Sequence, residues 1–246
     1  MKIKVKKAYN TLGREYYDTR KNKSGISYFY NELLEMPTTL KMLGNIKGKK
    51  VLDLGCGPGI YIQKLKNKCK EIKGIDISKV EVEIAKENNP EIDIVLGDAE
   101  KLPYNNNEFD IIFASLVLGH LDSWTKVLSE ISRTLKKRGI FIFSIHNPVT
   151  DGMIKKKWFF KKFKVIERYF EERKRSKIWG EKNTSAESIH YHKTYGTIIR
   201  NLIKNKFEII DYEDCKPLEE GKGLFPKHYN NAINLPYFSV FKVRKK

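Results

Sequence analysis

The sequence predicts an α/β fold built on a doubly wound, mostly parallel sheet. From residue 50 onward, short runs rich in Ile, Val and Phe alternate with longer amphipathic ones. A glycine-rich turn, "VLDLGCGPGIY" (51–61), joins the first such pair. Two late apolar runs follow one another with no helix between them, which places an antiparallel pair at the sheet edge.

The strand candidates are 50–55, 72–77, 93–97, 109–115 and 140–146, each nearly continuous in hydrophobicity, as strands covered on both faces should be. Helices are expected at 59–68, at 78–88 with Ser78 as N-cap, and at 122–137 with Asp122 or Ser123 as N-cap. A helix at about 190–205 then leads to the late strands, 207–214 and 237–243. Residues 147–189 interrupt the alternation, with Pro148, Gly152 and Gly180 as punctuation, and read as an insertion after the fifth strand. The tyrosine-rich first 45 residues read as a helical cap over the same edge. The chain thus reads as one domain: cap (1–45), ligand-binding core (46–146), lid or substrate insertion (147–189), and a C-terminal helix with the antiparallel pair (190–246).

The 246 residues carry a formal net charge of +18, and the stretch 153–177 holds eleven Lys/Arg against three Glu. That stretch suits either an anionic partner such as nucleic acid or a solvated lysine-rich face. No apolar run approaches the length that spans a bilayer, and no apolar segment of a secretory signal follows the basic start. Cys56, Cys69 and Cys215 are odd in number and lack metal-ligand spacing, which points to a reduced cytoplasm and to no metal site.

The glycine turn places backbone N–H groups at the carboxyl ends of the strands, where open α/β sheets bind ligands. The spacing Gly55-x-Gly57-x-Gly59 is not that of a dinucleotide loop, whose third glycine would fall at Ile60. Asp53 beside the loop would repel a pyrophosphate and attract a cationic ligand. Asp76, about 20 residues on, ends the second strand where an acid meets ribose hydroxyls. Asp98 and Ala99 follow the third strand, at the place of an adenine edge, and Ser115 tips the fourth. Cys56, Ile77 and Leu116 share these turns, Cys56 as a small packing residue.

In order and spacing, "VLDLGCGPG", "GIDIS", "GDAEKLP" and "FDIIFASLVLGHL" resemble the class I S-adenosylmethionine-dependent methyltransferases. The segments "SIHNPV", "RYFEERKRS", "YHKTYGTIIRNLIKNKFEI" and "EYYDTRKNKSG" resemble, more narrowly, the type-11 small-molecule subgroup. That subgroup more often has His directly before Pro, where here Asn147 separates His146 from Pro148. The resemblance implies a seven-stranded Rossmann-like sheet and S-adenosylmethionine as cofactor. It also implies that Arg20 pairs with the methionine carboxylate and that Tyr16 closes over it. His120, His146 and His192 are candidate general bases, since imidazole titrates near neutral pH. His190 and His228 read as peripheral. Trp158, Phe159, Tyr169, Phe170 and Trp179 could wall a substrate pocket.

The expected activity is methyl transfer to an O, N or S nucleophile of a small molecule. The alternative is a tRNA or rRNA methyltransferase that uses the basic 153–177 stretch. Against it, the fourth strand ends in "ASLVLGH" with neither an Asn-Pro-Pro-Tyr-like sequence nor a Pro-Cys nucleophile.

Overall fold

All seven strands expected from the sequence lie in one sheet of a computed structural model, which describes residues 2–158, 161–180 and 184–246. The chain opens with α1 (Lys2–Lys21), α2 (Gly25–Tyr28), a π-helix (Phe29–Glu35) and α3 (Met36–Leu43). Then come β1 (Lys50–Leu54), α4 (Ile60–Leu65), β2 (Glu71–Asp76), α5 (Lys79–Asn88), β3 (Ile94–Leu96) and β4 (Phe109–Ala114). A short 3₁₀ turn (Leu118–His120), α6 (Thr125–Thr134) and β5 (Leu135–His146) follow. After α7 (Pro148–Asp151) the insertion forms two hairpins, β6 (Met153–Trp158) with β7 (Lys161–Ile166) and β8 (Lys174–Gly180) with β9 (Ser185–Tyr191). Last come α8 (Tyr195–Lys204), β10 (Phe207–Asp214), α9 (Glu220–Leu224), α10 (Pro226–Ala232) and β11 (Phe238–Lys245).

The strand order is β10-β11-β5-β4-β1-β2-β3. β11 runs antiparallel to both of its neighbours, and the pairs from β5 to β3 are parallel. Successive side chains of a strand face opposite ways, so Val51 joins one apolar layer and Leu52 the other. The first layer packs β1, β4 and β5 against the π-helix and α3 through Phe29, Leu34 and Met42. The second packs them against α6 and α8 through Leu128, Ile131, Ile198 and Leu202. There Phe143 stacks on Phe241 at 5.1 Å, and each such ring contributes roughly 1.5–3 kcal/mol by leaving water.

α4 ends at Leu65 rather than at 68 and β5 begins at Leu135 rather than at 140, and three further boundaries, at α6 and α8, also differ from the sequence expectation. α6 begins at Thr125, because Trp124 is drawn inward and its indole N–H donates to the Leu118 carbonyl at 2.9 Å. It ends at Thr134, because Leu135 is already extended (ψ 139) and pairs with Phe109 in the sheet. The next turn is made by Arg138, whose φ of 62 is left-handed. α8 begins at Tyr195 rather than at 190, behind a Thr194 cap, since residues 185–191 belong to β9.

Candidate active site

The site is built where β1, β2 and β4 end. In the loop after β1, Gly55, Gly57 and Gly59 all have positive φ, at 74, 51 and 78. Gly55 has a steric reason as well: a Cβ there would lie 2.3 Å from Cγ2 of Val117. The amides of Gly55 and Cys56 donate to the Ile75 carbonyl at 2.8 and 3.1 Å, which ties the loop to β2. Asp76 completes the tie. Its Oδ2 accepts from the Gly57 amide at 2.9 Å and its Oδ1 from the Ser78 amide at 2.8 Å.

Asp53 is 1% exposed, and its Oδ2 has no hydrogen-bond partner. Burial, then Asp76 and Glu35 nearby, pushes its carboxyl well above the usual range. Burial also raises Asp76 and lifts Glu81 up to about 8, with Asp76 adding to the effect at Glu81. Burial pushes the Cys56 thiol up too, which makes it a packing group and not a nucleophile. The same cleft is lined by Asp53, Asp76, Glu81 and Asp98 and, among the described residues, by Arg20 as its single Lys or Arg. A chain of net charge +18 has therefore built a cleft rich in carboxyl groups.

α1 closes one side. Tyr9, Tyr16 and Arg20, spaced seven and four apart, share a helix face toward the cleft. Arg20 does not wait for a ligand. Its Nε and Nη2 each lie 2.8 Å from Oε1 of Glu32, and its Nη1 donates to the Tyr16 hydroxyl at 2.9 Å. Tyr16 in turn donates to Asn31 of the π-helix at 3.1 Å. Leu116, at the tip of β4, holds a left-handed φ of 57 with its amide donating to Ser144 at 2.9 Å.

All twelve residues expected to bind the cofactor line this one cleft. Of the three candidate bases, the structure brings only His120 to it. His146 is half-buried and stacked at 4.7 Å on His190, and its pKa is pushed down to about 3 by loss of water first and His190 second. His192 is buried with Nδ1 3.0 Å from Asp151 and Nε2 2.7 Å from the Tyr169 carbonyl, a structural pairing. His190, read from sequence as peripheral, lies 2.9 Å from the same Asp151. Tyr169 and Phe170 do not line the cleft, and Phe170 is 88% exposed. Trp179 packs behind it, 5.0 Å from the Tyr16 ring. The Trp158 side chain and Phe159 lie outside the described residues. Tyr9, Asn31 and Glu81 line the cleft without having been singled out in the sequence.

The model of the "Methyltransferase domain" family matches residues 52–143. An uncharacterized protein of Haemophilus influenzae is 30% identical over 230 residues, covering 87% of this chain and 88% of that one. Demethylmenaquinone methyltransferase of Staphylococcus aureus is 29% identical over 147 residues, covering 57% of this chain and 59% of that protein. A crystal structure from Listeria monocytogenes, assigned to the S-adenosylmethionine-dependent methyltransferases, superposes with a TM-score of 0.72 at 27% identity. It covers 86% of this chain and 96% of that one. With its sheet order, its glycine loop and these relatives, the chain belongs to the class I S-adenosylmethionine-dependent methyltransferases.

Proposed function

We propose that this enzyme methylates an O, N or S nucleophile of a small molecule, with His120 as the acceptor of the nucleophile's proton through the hydroxyl of Tyr9, which gives its own proton to the ring as it takes up the nucleophile's. The observation that carries the reading is a covered cleft whose carboxyl groups outnumber its cations, with His120 on its wall. The unpartnered Oδ2 of Asp53 suits an ammonium group, and Asp76 suits ribose hydroxyls. Asp98 and Ala99 would border the adenine, and the N–H groups that Arg20 has left beyond Glu32 and Tyr16 would meet the methionine carboxylate. The residues therefore fit the cofactor, which when bound supplies an electrophilic sulfonium methyl. What remains for the protein is to position the acceptor, exclude water and take up a proton.

α1 and the β8–β9 hairpin supply the cover in this reading. Lys4 pairs with Glu187 at 3.1 Å, Glu15 with Thr184, and Tyr16 meets Trp179. A small acceptor suits such a covered site, and the demethylmenaquinone methyltransferase relative supports one. No described residue of the basic stretch 153–177 lines the cleft. No described helix is long and apolar enough to cross a membrane. The three cysteines are unbonded, which supports a cytoplasmic setting.

Incubation with methyl-labelled S-adenosylmethionine and separate small-molecule and RNA fractions of a cell extract tests the proposal. Label should enter the small-molecule fraction and fall sharply with His120→Ala. Label entering RNA alone would replace this reading with the nucleic-acid one.

A further inference from the structure

Ser78 and Glu81 have the spacing of a capping box, in which Ser caps the helix and Glu reaches back to the Ser amide. Only half of the box forms. The Ser78 hydroxyl accepts from the Glu81 amide at 3.2 Å, but the Ser78 amide is already given to Asp76. Released from the cap, Glu81 turns into the cleft. It is 1% exposed, and neither of its carboxyl oxygens has a hydrogen-bond partner.

The side chain is wedged between the loop and α1. Its Oε1 lies 3.3 Å from where a Cβ on Gly13 would stand, and its Oε2 lies 4.0 Å from the same point on Gly57. Gly57 is also the residue whose amide binds Asp76, so the two carboxyl groups flank one stretch of backbone. A buried polar group that no group of the protein itself satisfies marks a place where a ligand completes the bonding.

We propose that Glu81 is a ligand-binding residue that works in its protonated form, hydrogen-bonding the hydroxyl groups of the bound nucleoside beside Asp76. This rests on the nucleoside cofactor of the preceding subsection. The charged and titratable groups around it are Asp76 from β2, Cys56 from the loop, and Tyr9, Tyr16 and Arg20 from α1. Burial and Asp76 keep the Glu81 proton on up to about pH 8, against the pull of Arg20. Both Asp76 oxygens already accept a backbone N–H, so Asp76 can only accept again. A neutral Glu81 adds both a donor and an acceptor for a diol.

Calorimetric titration with S-adenosylhomocysteine, at about pH 6.5 and about pH 9.5, tests this on the wild type, Glu81→Gln and Glu81→Leu. Wild-type affinity should fall on the order of tenfold between the two conditions, as the carboxyl ionises. Glu81→Gln, which keeps a neutral donor and acceptor, should stay within about threefold of wild type at the lower pH and lose the pH dependence. Glu81→Leu should bind about tenfold more weakly at the lower pH. That deficit should vanish for an analogue lacking both ribose hydroxyls. Melting temperatures should not drop, since each variant removes a buried unsatisfied carboxyl. A Leu variant that binds as wild type does, or a Gln variant that keeps the wild-type pH dependence, overturns the role of Glu81 alone. A wild type that does not bind the nucleoside overturns the cofactor reading and this one together.

Discussion

The Tyr9 hydroxyl stands 3.1 Å from Nε2 of His120, while Nδ1 of the same ring faces the backbone carbonyl of Ile189. A carbonyl only accepts, so Nδ1 carries the proton and Nε2 presents its lone pair to the Tyr9 hydroxyl. Burial holds His120 below the ordinary histidine range, so the ring is neutral and basic at neutral pH. Burial keeps the Tyr9 proton on, which makes Tyr9 the donor of the pair. Three separate elements, α1, the turn after β4 and β9, thus define one tautomer.

His120→Ala should therefore lower kcat on the order of a hundredfold, and Tyr9→Phe by about tenfold, with cofactor affinity nearly unchanged. The wild-type profile of kcat/KM should lose activity on its acid side only below the ordinary histidine pKa of about 6.5. Steady-state rates across pH check this. A His120→Ala enzyme with wild-type kcat would remove the base from the scheme.

The two loop glycines should respond differently to alanine. At Gly55 the new methyl meets Val117 and a φ of 74, and a destabilisation of about 2–4 kcal/mol is expected. At Gly57 the space is open, the nearest atom lying 4.0 Å away, so only the backbone strain of about 1–2 kcal/mol remains. Urea unfolding of both variants measures the difference. Adding Val117→Ala should restore part of the loss at Gly55 and nothing at Gly57.

Glu81 also makes a prediction about stability in the absence of added cofactor. Its folded pKa of about 8 lies above the unfolded value, so between about pH 4.5 and 8 the unfolded chain gives up a proton that the fold retains. Stability from this group accordingly falls as pH rises through that window, and below it the cost is absent. Glu81→Gln should stabilise the ligand-free protein by about 1–3 kcal/mol at pH 8. The gain should shrink toward zero near pH 4.5. Denaturant melts at the two ends decide it, and a gain independent of pH would refute the assignment.

The cover should tighten when the cofactor binds. Hydrogen exchange with and without S-adenosylhomocysteine should show new protection in the first turns of α1 and in the β8–β9 hairpin. The Arg20 end of α1, already tied to Glu32, should change little. Protection gained by the glycine loop alone would show a cap that never moves.

Local chemistry made half of the site legible. Asp53, Gly55, Gly57, Asp76 and Asp98 each sit at a strand end that the sequence marks by itself, and all five meet in the cleft. Tyr9 and Glu81 could not be found that way. Tyr9 has a signal in the spacing of seven to Tyr16 and four more to Arg20, but that spacing meets the cleft only once α1 is laid over it. Glu81 was hidden behind a capping box that Asp76 dismantles. His146 and His192 are candidates as imidazoles, and what holds them, the His190 ring stacked on the one and Asp151 bonded to the other, is visible only with the β8–β9 hairpin in place. The hairpins are not legible in the sequence because runs of lysine break the alternation that identifies a strand, as in Met153–Trp158. Where Leu135 leaves α6 directly for β5, no Gly or Pro announces the change.

Arg20 bears on the thermodynamics of capture. A loose arginine on a surface gives up as much as about 2 kcal/mol of rotamer freedom when a ligand fixes it. Here that freedom was surrendered during folding, when Glu32 and Tyr16 took hold of the guanidinium. In the proposed binding mode, recognition of the ligand by Arg20 would then carry little further loss of side-chain entropy. The counterpart lies in the fold itself, since Glu32 must keep one buried oxygen, Oε2, without a partner so that the arginine stands ready.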